Sequence, residues 1–288
     1  MDIINTLEDL RAARKNMTGS VGLVPTMGFL HAGHISLVKR AVSECENVIV
    51  SVFVNPTQFS PTEDFASYPR DLERDAALVQ EAGANLVWAP TDQVMYPSEY
   101  QTYVSVEEIT KVLEGAMRPT HFRGVTTVVA KLFNAVRPDK AYFGQKDAQQ
   151  VAVLSRMVRD LNFDLEMVIC PIVREKDGLA LSSRNTYLDK SERQSALVLS
   201  RSLRKARTAF LSGERETEKI RKSMEEVFAA EPAARVQYIS IADPSSLKEI
   251  ERIESQALVS MAVYVGKTRL IDNTILGMAD PNLDGFDH

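Results

Sequence analysis

The N-terminal part of the chain alternates short, almost continuously apolar runs with segments whose apolar residues recur at helical spacing. The apolar runs predict strands at residues 21–24, 48–54, 86–89, 141–143 and 165–170. The run at 48–54 is rich in β-branched residues, as expected of a strand buried on both faces of a parallel sheet. The periodic segments predict helices from residue 35 and at 71–82, 123–136 and 147–161. This alternation predicts an α/β fold with a doubly wound parallel sheet.

The pattern changes after about Pro171. Two charged helices of surface type are predicted at 191–211 and 214–230, followed by strands at 236–242, 257–265 and 269–271. Runs of helix and then of strand are typical of an α+β unit. We therefore expect a larger domain at residues 1–172 and a smaller C-terminal α+β domain at 173–288.

The composition narrows the classes of partner. The 288 residues are 44% hydrophobic and 25% charged, as in an ordinary globular protein, and the net charge is −5. Nucleic-acid binders are usually basic, so we expect no nucleic-acid partner. Cys45 and Cys170 lie far apart and predict buried free thiols in a reducing compartment. Because we find neither a leader segment nor an apolar run near the roughly 20 residues of a membrane span, we expect a cytoplasmic protein without a membrane partner.

The segment His31-Ala32-Gly33-His34 carries the strongest chemical signal. It lies between a predicted strand and a predicted helix, in a turn that contains Gly28 and Gly33. A helix that begins after such a turn directs free backbone N–H groups and the positive end of its dipole at an anion. Two imidazoles at the same point add hydrogen-bond donors that can also carry charge. The arrangement predicts a phosphate site.

Two more polar segments follow predicted strands, at the edge where open α/β sheets bind ligands. Asn55 and Gln58 could hold a small polar ligand, or Asn55 could cap a proline turn. Lys146 could meet a phosphate as a point charge. Asp147 is expected at the N-cap of the next helix, where Gln150 would complete a capping box.

Two later segments leave alternatives open. The hydroxyls of Ser182 and Ser183 with the guanidinium of Arg184 could clamp an oxyanion, or form a solvated linker. His121 is either a substrate contact or a structural histidine.

Taken in order, these motifs resemble the pantothenate synthetase (pantoate–β-alanine ligase) family of the H-x-G-H nucleotidyltransferase superfamily. The family patterns P-T-M-G-x-L-H-x-G-H, F-V-N-P-x-Q-F, F-G-E-K-D-x-Q-Q and L-S-S-R-N stand at 25–34, 53–59, 143–150 and 181–185. Shorter matches extend the resemblance over essentially the whole chain. The chain departs from the pattern at Gln145, where glutamate is common, which puts any charge-dependent role of that position in doubt.

The resemblance implies a Rossmann-like domain that binds ATP and pantoate, with a C-terminal lid. It implies ATP-dependent condensation of pantoate with β-alanine through a pantoyl adenylate, releasing AMP and pyrophosphate, with ATP as substrate, Mg²⁺, and a homodimer. His31, His34 and Lys146 are the implied catalytic residues, with His34 as proton donor. Gln58, Gln150 and Asn55 are implied at pantoate, with Gln58 also near β-alanine. The residues implied at ATP are Met27, Gly28, Phe29, Leu30, His31, Ala32, Gly33, His34, Gly144, Gln145, Lys146, Asp147, Val173, Leu181, Ser182, Ser183 and Arg184.

A magnesium contact follows from ATP rather than from a motif. Asp75 lies on the same predicted helix face as Leu72 and Val79, so it is our candidate, with a capping or boundary aspartate as the alternative. Two other functions remain open. One is an H-x-G-H nucleotidyltransferase that couples CTP or ATP to a phosphorylated alcohol; the other is a nucleotide-binding regulatory module without turnover.

Overall fold

Buried apolar runs form six parallel strands in the computed structural model, which describes residues 1–60 and 65–284. The strands run in the spatial order β1-β4-β3-β2-β5-β6. Their bounds are β1 Asp2–Ile4, β2 Val21–Thr26, β3 Asn47–Val52, β4 Leu86–Trp88, β5 Lys140–Gly144 and β6 Glu166–Cys170. The predicted doubly wound parallel sheet is confirmed.

The order of the strands reverses beside β2. From β2 the chain moves outward through β3 and β4, and it then returns to β5 and β6 on the other side of β2. The carboxyl ends of β2 and β5 therefore flank the topological switch point, where open α/β sheets bind ligands. His31 and His34 follow β2, and Gly144 ends β5.

Asp139 fixes the register of this central pair. Its carboxylate accepts the N–H of Val21 at 2.7 Å, and its own N–H donates to the Val21 carbonyl at 2.8 Å. Glu166 donates its N–H to the Asp139 carbonyl, so one residue aligns the start of three neighbouring strands.

Of the helices that connect these strands, four match the predicted periodic segments, with shifted ends. They are α1 Leu7–Asn16, α2 Ala32–Glu44, α3 Leu72–Glu81, α4 Asp92–Met95, α5 Glu114–Met117, α6 His121–Val136 and α7 Ala148–Asp160. Helix α2 begins three residues before the predicted start, because His31 caps it. It buries Leu37, Val38 and Ala41 beside the sheet. Strand β1 and helices α1, α4 and α5 were not among the predicted elements.

The C-terminal residues build a three-stranded antiparallel sheet with helices. The strands β7 Ala234–Ala242, β8 Ala257–Val265 and β9 Thr268–Leu276 lie in that order, and β9 is longer than predicted. The helices are α8 Lys190–Ser195, α9 Leu197–Leu211, α10 Thr217–Ala229 and α11 Pro281–Asp284. The single helix predicted at 191–211 is wrong, since the chain forms two helices that meet at Ala196.

The chain divides into two units. The first comprises Met1–Gly144 and Val153–Cys170, and the second comprises Gln145–Ala152 and the residues from Pro171 onward. The assignment of nucleotide and pantoate binding to residues 1–172, and of a lid to 173–288, stays a prediction. Cys45 and Cys170 are buried and free, as predicted. Among the described helices, none is both long enough and apolar enough to span a bilayer.

Candidate active site

The loop between β2 and α2 takes a backbone path that few residues adopt. Gly28 has φ of +83° and Phe29 has φ of +49°. The carboxylate of Asp75 holds this path in place, because its oxygens accept the N–H of Phe29 at 2.6 Å and of Leu30 at 2.8 Å. Asp75 is fully buried, and burial raises its pKa although the two backbone N–H groups oppose the rise. The loop is thus fixed from α3 before α2 begins.

The two histidines form the N-terminal cap of α2. Nδ1 of His31 accepts the N–H of Gly33 at 3.1 Å, and Nδ1 of His34 accepts the N–H of His31 at 3.3 Å. Their rings lie side by side, with centroids 4.0 Å apart. A nitrogen that accepts a backbone N–H carries no proton, so in neutral imidazole the proton is on Nε2. In the neutral form both rings therefore carry their proton on Nε2, at the positive end of a helix.

The segment after β3 forms a 3₁₀ turn, Pro56–Gln58, that Asn55 caps. The Asn55 side chain is 1% exposed and is occupied at both ends. Its Oδ1 accepts from Thr57 and Tyr96, and its Nδ2 donates to Gln58 Oε1 at 3.0 Å and to the Gly124 carbonyl at 3.2 Å. These contacts favour the capping alternative for Asn55 over direct contact with a substrate.

Gln58 is held through its backbone as well. Its carbonyl lies 2.9 Å from Nδ1 of His121 and accepts from Arg118 at 3.4 Å. Arginine can only donate, so its 3.2 Å contact with Nε2 of His121 makes that nitrogen the acceptor and leaves the proton on Nδ1. These contacts favour the structural alternative for His121. The Nε2 of Gln58 lies 3.0 Å from Sδ of Met27, which joins this turn to the loop between β2 and α2.

Helix α6 approaches the turn so closely that only glycine fits at 124. A Cβ there would lie 2.4 Å from the Thr57 carbonyl oxygen and 2.7 Å from the Gln58 nitrogen. A cavity of about 270 Å³ opens nearby at the carboxyl ends of three strands, lined by residues that include Gly28, Val54 and Ala89. The first unit therefore gathers Met27–His34, Asn55, Gln58 and Asp75 into one connected cluster.

In the second unit, Asn273 of β9 fixes the backbone around Lys146. Its Nδ2 donates to the carbonyls of Gln145 at 3.1 Å and of Lys146 at 2.8 Å. The Gln145 side chain donates in turn to Asn273 Oδ1 at 3.2 Å. Asp147 closes a 3₁₀ turn, Gln145–Asp147, and Gln150 lies in the first turns of α7. Their capping and pantoate-binding roles stay predictions.

A short hairpin brings two of the predicted nucleotide residues together. Leu181 donates its N–H to the Val173 carbonyl at 3.0 Å, and Arg174 bridges to Ala180. Arg174 is anchored by a bidentate pair with Asp272 at 2.7 and 2.9 Å, and both side chains are 1% exposed.

The loop that carries Ser182, Ser183 and Arg184 leaves this hairpin. Ser182 caps it through the N–H of Arg184, and Asn185 donates to Glu175 at 3.1 Å, which also pairs with Arg193. The loop is thereby tied to the hairpin by a polar network.

A family model described as pantoate-beta-alanine ligase matches residues 2–275. The chain belongs to this family. It is 56% identical over 277 residues to the pantothenate synthetase of Herpetosiphon aurantiacus, covering 96% of this chain and all of the relative. The family resemblance predicted from the motifs is confirmed, and the chain is a ligase-family enzyme.

Solved structures of family members agree on the fold. The pantothenate synthetase of Thermus thermophilus matches with a TM-score of 0.91 and 49% identity, covering 95% of this chain and 99% of that one. The pantoate-beta-alanine ligase of Francisella tularensis, solved in complex with beta-gamma ATP and beta-alanine, matches with a TM-score of 0.79 and 33% identity over 97% and 99% of the two chains.

Several supporting residues of this ligase fold were not predicted from the sequence. Asp75 was singled out for magnesium, but its contacts favour the structural alternative, so its metal role stays a prediction. The side chains of Tyr96, Glu175, Arg193 and Asn273 carried no motif signal of their own. Of these, Asn273 stood in a stretch that matched the family pattern, which could have drawn attention to it.

Proposed function

We propose that this chain condenses pantoate with β-alanine at the expense of ATP, through a pantoyl adenylate, and releases AMP and pyrophosphate. The match of the family model to residues 2–275 is the observation that carries the proposal. The Francisella relative, crystallised with an ATP compound and β-alanine, supports the same pair of substrates here.

The first half-reaction needs charge stabilisation rather than a covalent nucleophile. The pantoate carboxylate attacks the α-phosphate, the bond from the α-phosphate to the bridging oxygen breaks, and pyrophosphate leaves. We assign to His31 and His34 the stabilisation of the charge that develops on the phosphates, because both rings are fixed with Nε2–H as donor. In this tautomer Nε2–H of His34 acts as a hydrogen-bond donor to the phosphates, and the proton-donor role that the resemblance implies for His34 stays a prediction.

Lys146 and Arg184 are assigned to phosphate, each as a cation whose backbone is held in place by a separate polar network. The other residues predicted at ATP remain assigned to that substrate, and Val173 is assigned a contact with adenine. Gln58 and Gln150 are assigned to pantoate, and Gln58 also to β-alanine. The amine of β-alanine then attacks the acyl carbon of the adenylate, and AMP leaves.

Mg²⁺ is proposed to arrive with ATP, and the contacts of Asp75 favour a structural carboxylate over a metal ligand. Both oxygens of that carboxylate accept backbone N–H groups. Within 1–60 and 65–284, no group of three or more His, Cys, Asp or Glu side chains is arranged to hold a metal ion. No step of the reaction is therefore assigned to a protein-bound metal.

The test follows AMP by mass spectrometry in mixtures that omit one substrate at a time. We expect AMP only when pantoate and β-alanine are both present, and AMP that forms without them would overturn the proposal. His34→Ala and Lys146→Ala should each lower turnover by about a hundredfold to a thousandfold, since lost electrostatic stabilisation costs roughly 3–4 kcal/mol. Lys176→Ala, an exposed lysine in the same unit as Lys146, is the control and should leave turnover unchanged.

A homodimer in the cytoplasm completes the proposal. The family resemblance supports the dimer, and the two buried free cysteines support a reducing compartment such as the cytoplasm. Light scattering after size-exclusion chromatography should give a mass near twice that of one chain; the mass of a single chain would exclude the dimer.

A further inference from the structure

A chain of hydrogen bonds fixes which end of the Gln58 amide is available to a ligand. Asn55 stands at its centre, and its orientation is forced by two backbone groups. The Gly124 carbonyl can only accept, so it faces Nδ2, and the Thr57 N–H can only donate, so it faces Oδ1. With Nδ2 of Asn55 also 3.0 Å from Gln58, the Gln58 atom in that contact must be the acceptor Oε1.

The consequence is that Gln58 has its N–H end left for other partners. Its Nε2 lies 3.0 Å from the sulfur of Met27, which is a weak acceptor. An amide held this way offers donors to carboxylate and hydroxyl oxygens, and those are the groups of a small hydroxy acid.

Tyr96 makes the shortest hydrogen bond to Asn55, the residue at the centre of these hydrogen bonds. Its hydroxyl donates to Asn55 Oδ1 at 2.8 Å, against 2.9 Å for the Thr57 hydroxyl and 3.3 Å for the Thr57 N–H. Tyr96 follows α4, so it ties the turn to an element other than β3 and α6. Burial raises the pKa of Tyr96 to about 12, so the hydroxyl keeps its proton at neutral pH.

The Tyr96 ring itself is held by its neighbours. It packs edge-on against Tyr100, with centroids 5.1 Å apart, and Lys131 lies 5.9 Å from its centre. The hydroxyl is therefore aimed at Asn55 by a packed aromatic group rather than by a mobile side chain.

We propose that Tyr96 is a positioning residue for the pantoate subsite. Through Asn55, it keeps the Gln58 amide turned with its N–H end toward the oxygens of pantoate. This inference rests on the proposed function, in which Gln58 binds pantoate. Tyr96 acts only through Asn55 and Gln58 and is not assigned a contact with the substrate.

The test is steady-state kinetics of Tyr96→Phe, with KM measured separately for each substrate. We expect KM for pantoate to rise about threefold to tenfold, the fold-change that corresponds to one lost neutral hydrogen bond. KM for ATP should change less than twofold, and the melting temperature should stay near that of the parent. Tyr100→Phe is the matched control, because it removes a hydroxyl from the adjacent ring and leaves the Asn55 contacts in place.

A double-mutant cycle separates the inference from the function on which it rests. Gln58→Ala should raise KM for pantoate, and adding Tyr96→Phe to it should raise KM no further, because the group being positioned is gone. If Gln58→Ala leaves KM for pantoate unchanged, the proposed function of Gln58 fails. If Gln58→Ala raises it but Tyr96→Phe behaves like Tyr100→Phe, or if the two effects multiply, the positioning role fails.

A second variant guards against misfolding of Tyr96→Phe. Thr57→Val keeps the Tyr96 hydroxyl but removes another donor to the same oxygen, together with the 3.1 Å contact between the Thr57 and Tyr96 hydroxyls, and it should raise KM for pantoate by a similar factor. A merely structural Tyr96 would lower the melting temperature and the active fraction in both variants without moving KM, and that result would overturn the proposal.

Discussion

The close approach of α6 to the Pro56–Gln58 turn makes Gly124→Ala a sensitive probe of the substrate subsite. The added Cβ would lie 2.4 Å from the Thr57 carbonyl oxygen and 2.6 Å from its carbon. Since non-bonded heavy atoms settle near 3.5 Å, the helix and the turn must separate by about 1 Å. The atoms in the way belong to the backbone, so no side-chain rotation relieves the contact.

Two opposing contributions set the change in stability. Overpacking costs about 1–3 kcal/mol, and stretching the 3.2 Å bond from Asn55 to the Gly124 carbonyl adds about 1 kcal/mol. Replacing glycine by alanine inside a helix returns about 1 kcal/mol. We expect a net loss of about 2 kcal/mol, which lowers the melting temperature by about 3–4 °C for a chain of 288 residues.

The same displacement moves Gln58, so kcat/KM for pantoate should fall by about tenfold to a hundredfold. Differential scanning calorimetry and steady-state kinetics measure the two effects. Asn134→Ala, at an exposed position of the same helix, is the control and should be neutral or slightly stabilising. If Gly124→Ala were as stable as this control and bound pantoate normally, the Pro56–Gln58 turn would accommodate the added Cβ without cost. That result would refute the reasoning from the close approach.

Three further outcomes follow from single contacts. Asp75→Ala leaves two backbone N–H groups of the loop between β2 and α2 without their acceptor and should lower turnover at least tenfold. Glu73→Ala, at an exposed position of the same helix, is the control. A higher Mg²⁺ requirement at normal turnover would favour a metal contact of Asp75 instead. Asp272→Ala leaves the buried Arg174 charge without its partner and should lower the free energy of unfolding by about 3–5 kcal/mol, measured by urea denaturation. A loss below 1 kcal/mol would contradict the burial argument. Hydrogen bonds from neighbouring serines lower the pKa of Asp243 to about 2, below the roughly 3.9 of an unfolded chain. Its contribution to the free energy of unfolding is therefore present above pH 4 and lost as the pH falls toward 2. Asp243→Asn should flatten the pH dependence of stability between about pH 4 and 2, and an unchanged dependence in that range would count against this role of Asp243.

The strands that are buried on both faces could be predicted from the sequence. Such strands read as unbroken apolar runs, and the runs at β3 and β8 were located within two residues of their ends. Strand β1 gave no such signal, since its three residues are exposed or half-buried at the sheet edge. The break at Ala196 was missed because it occurs without glycine or proline, in backbone that stays close to helical.

The site was predictable at the level of motifs but not of partners. The histidines, Gln58 and Lys146 stand in local patterns that chemistry can interpret. The groups that hold them come from far away in sequence, as Tyr96 and Gly124 lie 41 and 69 residues from Asn55. No local pattern encodes such a pairing, and this is why the sequence left both the capping role and the ligand contact open for Asn55.

The pairing of Val21 with Asp139 has a consequence for how this enzyme is made. The two residues are 118 positions apart, so closing that loop carries a large entropic cost before the β2–β5 contacts repay it. On a ribosome, the H-x-G-H segment emerges early, yet its strand lacks one of its two neighbours until β5 has been synthesised. We expect the nascent chain to expose the apolar edge of β2 for that interval, and the crevice at the switch point to be among the last features to form.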